Sequence, residues 1–318
     1  MFEKYKPYLY LLIKISITCG IVYWLVHKVD TFAILKTLTM FSWHAIALSF
    51  ISLWCCYSMG AWRWKYILCT QEPLPFTFKN SLFIVSVGNF FNQGLPGSLG
   101  GDVYRGIALK QFGFSKSWSI QSLVIDRIFG LFSMGIVGIC ALFFLDLRFL
   151  KQEALIPLYL VLIGICVGFG VFCQINRIKM PYKIQRFINP LQNIARVCHT
   201  LIRLKKNSLK NGWFLLSGCT ATFFLSLPVY LLAMDLEHSL SLAAVLFVLP
   251  SVFLISFLPI SFAGWGIREA AFITLFKLFD LSSEQALSLS IAYGLVSLVS
   301  VLPGLVLYLF DSMKKISK

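Results

Sequence analysis

Two glycine-rich stretches carry most of the side chains able to hold a charged group inside an otherwise apolar chain. Residues 95–105 read Leu-Pro-Gly-Ser-Leu-Gly-Gly-Asp-Val-Tyr-Arg, and residues 258–268 read Leu-Pro-Ile-Ser-Phe-Ala-Gly-Trp-Gly-Ile-Arg. Leu95/Leu258, Pro96/Pro259, Ser98/Ser261, Gly101/Gly264 and Arg105/Arg268 match without a gap. Arginine presents a planar fork suited to phosphate or carboxylate oxygens. A helix that opens after such a break adds N–H groups and the positive end of its dipole. The ligand this pattern suits is an anion. Around Arg105 and Arg268 stand Asp102, Asp126, Arg127, Glu269, Asn89 and Asn92, with Ser98 and Ser261 inside the breaks. A charge within a bilayer costs about 2.5–3.5 kcal/mol on insertion scales, so each one needs a partner or a task. Internal partners are at hand: Asp102 with Arg105 at i,i+3, Asp126 with Arg127 or a residue of another helix, Glu269 with Arg268 or Arg105. Pairing is compatible with function, since an acid can hold an arginine until a phosphate displaces it.

The elements that must position these groups are membrane helices. Of 318 residues, 58% are hydrophobic and 13% charged, and several apolar runs approach the ~20 residues that cross a bilayer. The fold class expected is an all-α polytopic membrane protein. Its net charge of +15, from 28 Lys and Arg against 13 Asp and Glu, is explained by basic cytoplasmic loops rather than by nucleic acid, for which no reading module is present. The nine cysteines follow no CxxC or Cys/His ligand spacing, and the four histidines are isolated, so neither a disulfide framework nor a metal site is indicated. No P-loop appears, and no cofactor is expected.

In chain order, a basic start leads to a retained first helix over about 9–26, running outward. A helix over about 42–59 returns inward and ends in Trp62, Arg63, Trp64 and Lys65, which read as an aromatic and basic anchor at the inner interface. From Lys79 the chain re-enters the membrane and is broken by Gly94, Pro96, Gly97, Gly100 and Gly101. Irregular backbone at that depth must face protein or a water-filled cavity. Asp102 then N-caps a short helix over about 102–112, and a long helix over 118–145 crosses outward. A further helix over 155–174 returns to the segment 175–210, whose nine Lys and Arg with no acid mark it as cytoplasmic. Apolar residues there recur at three- and four-residue steps, as in an amphipathic helix lying on the membrane or covering the bundle. A helix over 213–234 goes outward, a second broken hairpin enters over 241–257 with an interruption at Pro250, and it reaches Pro259, Gly264 and Gly266. Helices over about 265–279 and 284–310 follow, and the chain finishes on a basic cytoplasmic tail.

Phe112-Gly113-Phe114-Ser115 also echoes Phe279-Asp280-Leu281-Ser282. Each half therefore reads helix, broken hairpin, long helix: repeat 1 over 42–145 with its re-entrant part at 79–112, repeat 2 over 212–310 with its re-entrant part at 241–279. The charge bias orients the two oppositely. Such an inverted-topology repeat is how many secondary transporters build a midplane site.

At these residues the chain resembles the transmembrane region of lysylphosphatidylglycerol synthases and its stand-alone, flippase-like (UPF0104-type) relatives. The resemblance is carried by Asn92, Pro96-Gly97, Gly100-Gly101-Asp102, Arg105 and Asp126-Arg127, and later by Gly264, Gly266 and Arg268-Glu269; Asp126 stands where Glu is more usual. It implies handling of anionic or polyprenyl-linked lipids at the cytoplasmic membrane, and it covers the translocating half of the bifunctional members, so lipid aminoacylation is not expected. The leading expectation is a non-enzymatic lipid transporter whose paired arginines hold the head group at a midplane cavity, with both termini cytoplasmic and membrane lipids as partners. Two other readings remain open: a membrane transferase acting on a lipid-phosphate carrier, and a non-catalytic partner of a cytoplasmic lipid-modifying enzyme docking on 175–210.

Overall fold

The computed structural model describes residues 39–94, 100–145, 208–236, 240–256 and 266–316, and among these the secondary structure is entirely helical. The expected helices over 9–26 and 155–174, and the basic segment 175–210 up to residue 207, lie outside the described residues. So do Pro96, Gly97, Ser98, Pro259, Ser261 and Gly264. We number the helices α1 (Trp43–Gln71), α2 (Phe78–Gly94), α3 (Gly100–Ala108), α4 (Lys116–Leu142), α5 (Ser208–Ala233), α6 (Leu242–Ser256), α7 (Ile267–Phe276) and α8 (Ser283–Ile316). Short 3-10 turns, Leu109–Phe112 and Lys277–Phe279, extend α3 and α7. Four stretches are long and apolar enough to cross a membrane: α1, α4, Leu215–Ala233 of α5 and Ser283–Phe310 of α8.

Helix starts follow local chemistry. Ser42 and Ser115 sit in extended conformation before α1 and α4, and their side chains accept from the Ala45 and Trp118 N–H groups. Ser282 does the same before α8, accepting from Gln285 N–H while the Gln285 side chain accepts from Ser282 N–H. The echo between 112–115 and 279–282 is structural as well. In both places a 3-10 turn ends on a left-handed residue, Gly113 (φ 86°) or Asp280 (φ 59°), followed by a buried apolar residue, Phe114 or Leu281, and then the capping serine.

Several expectations change. The helix beginning near residue 42 does not end at 59 but runs unbroken to Gln71, so Trp62–Lys65 lie inside it. Arg63 and Trp64 are not anchors at a membrane interface: Trp64 is fully buried and Arg63 only 8% exposed, whereas Trp62 is exposed. Arg63 can be buried because a carboxylate on α4 meets it, and Trp64 because its ring meets Phe76 edge-on. Gly100 and Gly101 form the first turn of α3, so Asp102 lies within that turn and not at its cap. Pro250 does not interrupt α6, and Pro228 sits inside α5. A helical proline leaves the carbonyl four residues back without its N–H. For Pro228 that carbonyl belongs to Phe224, and Ser52 of α1 donates to it at 2.7 Å.

Two apolar cores result. One gathers Ala61, Trp64, Ile67, Ile84, Leu109 and Phe129 around the α2–α3 hairpin. The other gathers Leu53, Leu232, Phe247, Phe272, Phe276 and Tyr293 around α6 and α7. α1 and α5 pack along each other and join the two; α4 packs on α6, while α8 packs on α2.

Candidate functional site

A close approach of α2 and α3 places the first charged group. Gly101 N–H donates to Asn92 Oδ1 at 2.8 Å, so the side chain of α2 satisfies one of the free amides at the start of α3. A Cβ on Gly101 would overlap the Gly88 carbonyl oxygen and the Asn92 amide. Glycine at 101 lets α3 cross α2 closely enough for Arg105 to lie against Gly88, where an added Cβ would sit 3.1 Å from Arg105 Cγ.

Arg105 then takes its place in a line of charges. Arg63 Nε of α1 donates to Asp126 Oδ1 of α4 at 2.8 Å, and its Nη2 donates to the Asp126 carbonyl at 3.4 Å. Asp126 Oδ2 accepts from Arg105 Nη2 at 3.4 Å. Arg105 Nη1 lies 3.7 Å from Asp102 Oδ1, and Asp102 Oδ2 accepts from Arg127 Nε. Arg63, Asp126, Arg105, Asp102 and Arg127 thus alternate in sign along a ladder, and these five residues together carry one net positive charge. The Arg105 guanidinium carbon stands 4.1 Å from the Trp64 ring centroid, a cation–π contact in a desolvated setting. Its Nε is buried and has no hydrogen-bond partner among the described residues.

Beside the ladder lies a cavity of about 230 Å³. Arg63, Arg105, Asp126 and Asn89 line it, with Tyr57 and Thr222. The Arg63 guanidinium passes between two glycines: a Cβ at Gly130 would come 3.4 Å from Nη2, and one at Gly218 3.2 Å from Nη1. The cavity lies where α1 leaves one apolar core for the other, its lining residues Cys56, Tyr57, Gly60 and Arg63 recurring on one face of that helix.

Arg268 and Glu269 are held elsewhere. Arg268 donates from Nη2 to Glu269 Oε1 at 2.6 Å and from Nε at 3.1 Å, while Glu269 Oε2 accepts from Gly266 N–H at 2.5 Å. Gly266 has φ 85°, a left-handed conformation that suits glycine. Arg268 is not among the residues lining the 230 Å³ cavity; the second guanidinium there is Arg63. A polar bridge joins α2 and α8 nearby: Gln93 Nε2 donates to Ser297 Oγ at 3.2 Å. Among the described residues, no group of three His, Cys, Asp or Glu is placed to hold a metal ion.

An Asn, a Gly-Gly-Asp with Arg, and an acid-Arg pair brought into one buried ladder are the residues that carry the sequence resemblance. Residues 11–304 match the lysylphosphatidylglycerol synthase TM region as a family. The chain belongs to that family. It is also similar to the UPF0104 membrane protein MJ1078 of Methanocaldococcus jannaschii, 28% identical over 223 residues, which cover 67% of this chain and 89% of that protein. Family membership and the four bilayer-length helices together make this a membrane protein of the lysylphosphatidylglycerol synthase TM type.

Sequence reasoning missed Arg63 and Trp64. The signal was there: Cys56, Gly60, Arg63 and Ile67 follow the 3.6-residue period of one interior face. Bracketed by two tryptophans and a lysine, the arginine instead matched the composition of a membrane-interface belt.

Proposed function

We propose that this protein is a flippase-like transporter, not itself an enzyme, that moves an anionic or phosphate-bearing lipid across the cytoplasmic membrane. The head group is recognised at the cavity by Arg63 and Arg105. One observation carries this reading: two guanidiniums, Arg63 and Arg105, line one cavity together with the polar side chains of Asn89, Tyr57 and Thr222. A phosphate bridging the two would take charge-assisted hydrogen bonds from both.

The reading includes an inverted repeat, α1–α4 against α5–α8. Its support is reciprocal packing, since α4 lies on the second hairpin and α8 on the first, together with the repeated 3-10 turn, left-handed residue and serine cap. Rocking one half against the other would expose the cavity alternately to each side. Arg268 is then the counterpart of Arg105 in the second hairpin, and both termini are cytoplasmic.

The test is a head-group accessibility assay in liposomes carrying a fluorescent phosphatidylglycerol. Arg105→Ala and Arg63→Ala, checked for folding by gel filtration, are expected to lose at least tenfold in rate, the loss of about 1.4 kcal/mol or more of charge-assisted binding. Wild-type rates in both would end this assignment.

A further inference from the structure

A second opening lies beside the same hairpin, between α3 and α4. α3 and α4, joined by the 3-10 turn at Leu109–Phe112, run back along each other and leave a groove of about 890 Å³ between them. Its bed is apolar and open: Val103, Ile107 and Ile120 line it and are exposed. Val103 and Ile107 are one turn apart on α3, and Ile120, Leu123 and Arg127 follow the same face of α4. From Lys116 to Arg127 the wall spans roughly 16 Å at the helical rise.

The two ends differ in charge. Lys110 and Lys116, both exposed, flank the turn at one end. Glu72 approaches that turn but is engaged by the Ser115 N–H and hydroxyl, at 3.1 and 2.6 Å. The other end is closed by Asp102 and Arg127, which bond to each other. Asp102 also lies 3.7 Å from Arg105, which lines the buried cavity, so this pair stands between the groove and that arginine.

We propose that the groove binds one hydrocarbon chain of an anionic phospholipid, with its phosphate against Lys110 and Lys116 and the Asp102–Arg127 pair closing the inner end. The cationic mouth and apolar bed match a phosphate followed by a chain. They do not match the basic segment 175–210, whose nine cations and no acid oppose docking beside two lysines. The transport reading supplies the lipid's destination; binding in the groove stands without it.

The full chain, with Ile107 or separately Ile120 replaced by photoreactive p-benzoylphenylalanine, is placed in nanodiscs of mixed phosphatidylglycerol and phosphatidylcholine, irradiated and read by mass spectrometry. Lipid adducts are expected at both positions, favouring phosphatidylglycerol over its mole fraction by on the order of tenfold, a screened contribution of two surface lysines. Lys110→Gln with Lys116→Gln should bring that preference close to unity while adducts to either lipid persist, showing that the groove is still formed. Crosslinks to another peptide of the chain or to a second copy, in place of lipid, overturn the proposal, as does equal labelling of the two lipids by the wild-type lysines. Lipid adducts in a protein that moves no lipid uphold the groove and remove the transport reading. Arg105-dependent transport with peptide crosslinks in place of lipid does the reverse.

Discussion

Asp126 is shared by two arginines from two other helices, at 2.8 Å from Arg63 and 3.4 Å from Arg105, so its removal tests the ladder most directly. Asp126→Leu leaves three guanidiniums facing Asp102 alone, and the local net charge rises from one positive to two. Breaking a buried pair from one side costs about 3–5 kcal/mol. The adjoining cavity is polar and roomy enough to hydrate part of the orphaned charge, so the lower end, about 3 kcal/mol, is expected. Arg63→Met is milder, about 1–2 kcal/mol, because Asp126 keeps Arg105 and the ladder becomes neutral. The double variant restores the original net charge and should therefore be more stable than Asp126→Leu, although it carries one more substitution. Equilibrium unfolding in mixed dodecyl sulfate and maltoside micelles, followed by far-UV circular dichroism, gives the three values. A double variant less stable than Asp126→Leu, or additivity of the two single losses, would refute the account of Arg63 and Asp126 as one electrostatic unit.

Gly101→Ala should cost about 1–3 kcal/mol in the same titration, because the new Cβ meets backbone at Gly88 and cannot be relieved by a side-chain rotation; wild-type stability would mean that α2 and α3 do not cross this closely. At the two left-handed turn residues, Gly113→Ala is expected to lose about 1–2 kcal/mol, whereas Asp280→Gly should change stability by less than about 1 kcal/mol. Equal losses at both positions would show that the turns are not conformational equivalents.

Much of the helical layout is legible because bilayer helices declare themselves by uninterrupted hydrocarbon and by capping serines. α4, α6 and α8 begin within about two residues of where Trp118, Ser241 and Glu284 place them. The errors share one cause: a residue's type was taken to set its environment. Glycine has low helix propensity, yet Gly101 is helical because only a residue without a side chain can pass Gly88 there. Arg63 reads as an interface residue because Trp62, Trp64 and Lys65 surround it, and what lets it be buried instead is a carboxylate 63 positions away. Neither partner is local, so neither effect can be read from a window of sequence. Asp102, Arg105, Asp126 and Arg127 were legible as chemistry because charges are rare in such a chain, and the structure brings those four together.

The two hairpins solve the same problem with different chemistry, and the difference bears on which half recognises the ligand. At the start of α3 the amide is satisfied by a neutral group, Asn92, so Asp102 remains available to Arg105 and Arg127. At the start of α7 the amide is satisfied by Glu269 itself, and the same carboxylate also accepts from the Nε and Nη2 of Arg268. Among the described residues, Glu269 thus meets one arginine at the second hairpin, whereas at the first, Asp102 and Asp126 meet three arginines drawn from α1, α3 and α4. Under the proposed mechanism, an incoming phosphate would compete for Arg268 against a carboxylate at 2.6 Å but would find Arg105 held more loosely, at 3.4 and 3.7 Å. Under the proposed mechanism, recognition therefore belongs to the first half, with Arg63 as the second guanidinium. Glu269→Gln separates the cases: if Arg268 also binds lipid, removing its counter-charge should strengthen phosphatidylglycerol binding several-fold in native mass spectrometry, and if it is structural, stability falls by about 1–3 kcal/mol with binding unchanged.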